Sequence, residues 1–249
     1  MSARRFGAAL CAAAAPALCL TACETTQDTS ARLAKEGSHS LSQAKGLSVS
    51  RVNPDISVAG SAVLQDQNGV AAVVRLHNRG AAQADVPVLI AVTGAKGRQL
   101  YANTVPGLDP SLVSVAAVPG GTDEYWVNDQ VTAAAKVRAV SAKVGVAKQR
   151  PPASLPAMRI TKLAFGSDVS GVYARGVITN TSRLPQRRLV ISCVSLSGSK
   201  VVAAGRAIVD RLAPAPTPKP VTFRVYFIGN PKQGKLTCSA PPTTLTPGA

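Results

Sequence analysis

The chain has 249 residues, 28 of them Lys or Arg and 12 Asp or Glu, with 46% apolar but only 4% aromatic residues. That length admits one or two domains, and the modest charged fraction excludes a strongly charged disordered polymer. Two His and five Cys are too few for a zinc ribbon or a multi-histidine centre, so neither a metal nor a cofactor is expected.

Residues 1–22 read as an export signal. Arg4 and Arg5 form its basic start, and the apolar run over 6–20 is too short to cross a bilayer as a helix. It ends in Leu20-Thr21-Ala22-Cys23, which resembles the bacterial lipobox. The resemblance implies cleavage before Cys23, a diacylglycerol on its sulfur and an acyl group on the new N-terminus. Two or three acyl chains, at about 0.8 kcal/mol per buried CH₂, suffice for membrane attachment. The expected partner is therefore a membrane, through lipid on Cys23, and the expected location is the extracytoplasmic side of a bacterial cell membrane, where disulfides are permitted. Residues 23–50 supply the lipidated Cys and a Thr-, Ser-, Gln- and Lys-rich flexible tether without an apolar stripe.

An offset of 102 residues then aligns two halves of the remainder. Residues 56–93 and 158–195 share eight identities, among them Asp66/Asp168, Gly69/Gly171 and Asn78/Asn180. Asp and Gly favour a tight turn. The strand after each turn has a period of two, with Val70, Ala72, Val74 and Leu76 on one face and Val172, Ala174, Gly176 and Ile178 on the other copy's face, the pattern of half-buried strands. Further strands are predicted over 86–93 and 189–196, 99–104 and 200–209, 123–128 and 221–228, and 136–143 and 235–239. Such spacing between Gly and Pro turns predicts an all-β chain of two tandem immunoglobulin-like β-sandwiches after the signal peptide and tether. Their expected bounds are 51–147 and 158–243, joined by a Pro-rich, semi-rigid linker over 148–157 and followed by a tail over 244–249.

In the second half, Gly176-Val177-Ile178-Thr179-Asn180-Thr181-Ser182, the strand from Leu189, the turn at Gly198 and Phe223-Arg224-Val225 resemble the bacterial FxLYD type of sandwich. Leu196-Ser197-Gly198 departs from that pattern by lacking its aromatic-Asp step. The resemblance implies envelope lipoproteins and adhesion or scaffold modules, and it brings no catalytic residues. Once the signal is cleaved and Cys23 is acylated, Cys193 and Cys238 remain, on strands expected to lie side by side, and a disulfide is predicted. At the matching offsets the first half has Ala91 and Ala139.

Charge supplies the functional expectation. Residues 51–150 carry a net +3 and residues 151–249 a net +11. Arg183, Arg187 and Arg188 cluster after Asn180, Arg175 lies on the outward parity of its strand, and Lys232 and Lys235 flank the last turn. These six residues are the candidate polyanion-binding set. Few aromatics accompany them, so nucleic acid is not expected as a partner. No Ser-His-acid constellation is available, because the second half holds only Asp168 and Asp210 as carboxylates, and no catalytic residue is assigned. The expected function is non-enzymatic: a lipid-anchored cell-envelope binding or scaffolding module whose basic second domain contacts anionic envelope polymer or membrane surface. The alternative is an accessory subunit of an envelope complex, using a specific protein interface.

Overall fold

A computed structural model describes residues 45–231 and 234–247. The expected export signal, Cys23, most of the expected tether and Lys232 lie outside the described residues. The first half forms β1 (Ile56–Asp66), β2 (Gly69–Asn78), β3 (Gln83–Thr93), β4 (Gln99–Ala102), β5 (Ser114–Val118), β6 (Asp123–Asn128) and β7 (Ala139–Val144). The second forms β8 (Met158–Asp168), β9 (Gly171–Asn180), β10 (Gln186–Ser197), β11 (Lys200–Leu212), β12 (Val221–Tyr226), β13 (Ile228–Gly229) and β14 (Lys235–Ser239). All pairing is antiparallel. The chain is all-β, as the alternation predicts.

Each half is a sandwich of two sheets. In the first, β1-β2-β6 faces a sheet built on β3, with β4 and β5 along one edge and β7 along the other. In the second, β8-β9-β12 faces β13-β11-β10-β14. Val74, Leu76, Val88, Ile90 and Trp126 fill the first core; Ile178, Leu189, Ile191 and Phe223 fill the second.

The repeated residues do the same work twice. Asp66 Oδ1 accepts from the Asn68 N–H at 2.7 Å and Asp168 Oδ1 from the Ser170 N–H at 2.9 Å, which closes each hairpin. Gly69 and Gly171 take φ of +138° and +125°, a region that favours glycine. Fully buried Asn78 ties its side chain to the carbonyls of Ala81, Val118 and Pro119, and Asn180 bonds the Leu184 carbonyl. Both pin the corner into the next strand.

Beyond that corner the offset becomes 103. Gln83 opens β3 and Gln186 opens β10, and the next irregularity is also shared: Asp85 and Arg188 have φ of +47° and +48°, and both are skipped in the ladder to the neighbouring strand. A loop longer by one residue accounts for the shift. A slip of one residue exchanges the two faces of a strand, so the expected counterparts of the cysteines are corrected. Cys193 is opposite Cys238 in β14, and the core-facing pair at that place in the first sandwich is Ile90 opposite Ala142, not Ala91 with Ala139. Cys193 and Cys238 do form the disulfide, with a Cα separation of 4.1 Å.

The long β11 has two short equivalents, β4 and β5, because an insertion leaves the ladder between them. Asn103 holds that insertion in place: its Nδ2 donates to the carbonyls of Val88 and Leu112, and its Oδ1 accepts from the Ile90 N–H.

The two sandwiches belong to one compact unit. Val73 and Val127, on the outer face of β1-β2-β6, pack with Val194 and Ala204, on the outer face of β10-β11, and Leu64, Tyr125, Leu196 and Val201 surround them. This third core makes β2 buried on both faces, where the alternation predicts a half-buried strand. The start of the Pro-rich segment is also fastened, with the Gln149 N–H donating to the Ala84 carbonyl at 3.3 Å.

Candidate functional site

Polar contacts between the sandwiches occupy two of the second half's cations, Arg188 and Arg206. Four carboxylates of the first sandwich reach groups of the second. Asp66 Oδ2 accepts from the Gly229 N–H at 2.7 Å, Asp109 from Arg188 at 2.5 Å, Asp129 from Arg206 Nε at 2.8 Å, and Glu124 from the Ser239 hydroxyl. Arg206 is the most enclosed of these cations, with its side chain 4% exposed and a further bond to Ser111 Oγ. Burial disfavours the charged form of Asp109, but hydrogen bonds from Ser111 and the adjacent Arg188 outweigh it and hold the carboxyl below its usual range.

A cleft of about 380 Å³ opens where β5 and β6 meet β10 and the C-terminal segment. Trp126, Val190 and Leu245 are among its apolar walls, and Arg187, Arg188 and Asp109 also line it. Glu124 sits there largely out of water, and burial pushes its carboxyl up to about 7 against the hydrogen bonds from Ser239 and the Tyr125 backbone. Trp126 donates its indole N–H to the Ser111 carbonyl at 2.9 Å. At the cleft Arg188 is paired with Asp109, Ser239 with Glu124 and Trp126 with the Ser111 carbonyl, whereas Arg187 has no such partner among the described residues.

The predicted basic residues divide. Arg188 is engaged with Asp109. Arg175, Arg183, Arg187 and Lys235 are exposed and have no carboxylate within ion-pair distance among the described residues; Lys232 lies outside them. Two further arginines complete the pattern. Arg175 in β9 lies directly opposite Arg224 in β12, and Arg187 in β10 lies directly opposite Arg211 in β11. All four are exposed. Arg211 and Arg224 are missing from the set read from sequence, although β12 carries a legible signal: Thr222, Arg224 and Tyr226 alternate outward from Phe223 and Val225. Their pairing with Arg175 and Arg187 depends on tertiary register, which sequence spacing alone does not supply.

On the outer face of β8-β9-β12 the arginines have aromatic company. Arg224 lies 4.9 Å from the centre of the Tyr173 ring and 3.3 Å from Asp168 Oδ2. Tyr173 meets Tyr226 edge-on at 5.4 Å, and the Tyr226 hydroxyl donates to Asp168 Oδ2 at 2.8 Å. Gly166 gives the Tyr173 ring its place, since a Cβ there would stand 2.5 Å from the ring.

No protein-family model and no curated protein matches the sequence.

Proposed function

We propose that this chain is a non-enzymatic cell-envelope protein, anchored by lipid on Cys23, that works as a binding or scaffolding module. Its basic second sandwich contacts anionic envelope polymer or membrane surface. The observation that carries the reading is the facing of exposed arginines across both sheets of that sandwich, Arg175 with Arg224 and Arg187 with Arg211. Like charges directly opposite on a sheet oppose folding, and a bound polyanion would relieve the repulsion. The likeness of Leu20-Thr21-Ala22-Cys23 to a lipobox supports an envelope location, where anionic polymers and lipid headgroups abound.

Retention of the detergent-purified full chain on immobilised polyphosphate, measured over rising salt, tests this. Retention should weaken steeply with ionic strength and should fall at least fivefold in a variant carrying Arg175→Ser and Arg211→Ser. Salt-indifferent retention, or none, rejects the polyanion contact and favours the accessory-subunit reading.

A further inference from the structure

The outer face of β8-β9-β12 has a counterpart whose role the fold displays. Hairpin for hairpin, Arg175 opposite Arg224 stands where Val73 is opposite Val127, because both arginine-bearing positions follow from the shared registers of Asp66 with Gly69 and Asp168 with Gly171. In the first sandwich that valine pair is docked in the third core. In the second it is replaced by cations, and two more positions change in concert: Leu64 becomes Gly166 and Ala71 becomes Tyr173, again cross-strand partners.

Solubility alone would be met by Ser, Thr or Lys at these places. What stands there is an ordered constellation. Gly166 has no side chain to collide with Tyr173, Tyr173 carries the Arg224 guanidinium on its face, and Asp168 fixes the Tyr226 hydroxyl and the edge of Arg224. Tyr226 stays 40% exposed, with a hydroxyl anchored and a ring that water still reaches. Arg175, diagonal to Tyr226 in the β9-β12 ladder, has no carboxylate within ion-pair distance among the described residues.

Resting on the polyanion reading above, we infer that this face is a subsite for an anionic glycan: a sugar ring packs its C–H face on Tyr226 while the acid group it bears meets Arg175 and Arg224. A rigid aromatic next to cations fits a ligand that alternates apolar ring faces with negative charge, and it gives no advantage to a polyanion without rings.

The detergent-purified full chain is titrated with polygalacturonate and with polyphosphate of matched charge, for the parent, Tyr226→Ala and Arg175→Ser, each checked for its unfolding temperature. The expected result is that Tyr226→Ala weakens polygalacturonate about tenfold, roughly 1.4 kcal/mol, and leaves polyphosphate within twofold, while Arg175→Ser weakens both. Polygalacturonate binding unchanged by Tyr226→Ala, with Arg175→Ser still weakening both polymers, overturns the glycan subsite and leaves the polyanion reading standing. Displacement by phosphatidylglycerol micelles but not by galacturonate oligomers gives the face to a lipid surface and likewise overturns it. Binding to neither polymer removes both readings.

Discussion

The two sandwiches share a scaffold and differ at their faces. Where the first has Val73 opposite Val127, the second has Arg175 opposite Arg224; where the first has the fully buried pair Ala84 and Ala117, the second has Arg187 opposite Arg211. Both exchanges put paired cations in place of paired apolar side chains, and both leave hairpin, corner and core unchanged. The outer face of one repeat is spent on joining its neighbour, and the same face of the other is turned to solvent. A stack of repeats needs a polar outer face at its end, and the arginines serve as that end. The strong positive charge of the second half is thus put to two uses: part of it, Arg188 and Arg206, neutralises acids of the first half, and part of it is displayed.

Breaking the junction between the sandwiches costs the most stability. Replacing Asp129 by Ala strands the buried Arg206 guanidinium and should lower stability by about 3–5 kcal/mol in chemical denaturation. A loss under 1 kcal/mol would mean that water or Ser111 already satisfies Arg206.

Glu124 gives the next effect, and it depends on pH. Its folded pKa of about 7 is above the ordinary value of 4.5, so the folded state holds the proton more tightly than the unfolded state. The stabilisation is full below pH 4.5 and is lost as pH rises through about 7, a decline of about 3 kcal/mol at most. Glu124→Gln should flatten stability between pH 5 and pH 8 and should exceed the parent at pH 8. An unchanged slope would place the titration elsewhere.

Arg175→Val combined with Arg224→Val should change stability least. This variant restores the apolar pair of the first repeat on an open face. Its sedimentation-averaged mass should rise with concentration relative to the parent; identical behaviour would show that the arginines are not what ends the stack.

Local chemistry in the sequence announces most of the fold. Asp-x-x-Gly and the following Asn specify hairpin and corner, the period of two specifies strand parity, and Cys193 and Cys238 meet as predicted. The register of β3 and β10 is not legible from the identities at an offset of 102, because that offset leaves out the extra residue in the longer corner of the second half. The junction left a trace that alternation obscures: residues 70–74 are an unbroken apolar run, Val-Ala-Ala-Val-Val, as expected for a strand covered on both faces. Of the candidate site, exposure of Arg175 followed from parity, but its partner Arg224, and the bond that occupies Arg188, are products of long-range pairing.

The disulfide has a mechanical meaning as well. It joins β10 to the last strand across 45 positions of sequence. Under tension along the chain, those residues cannot be drawn out while the bond is intact, which withholds about 150 Å of contour length. Tyr173 lies outside the closed segment, whereas Arg206, Arg211, Arg224 and Tyr226 lie within it. A pull that opened the first sandwich would therefore still leave the end of β10, all of β11 and β12 and most of β14 in one covalent loop, able to re-form around a strand that returns.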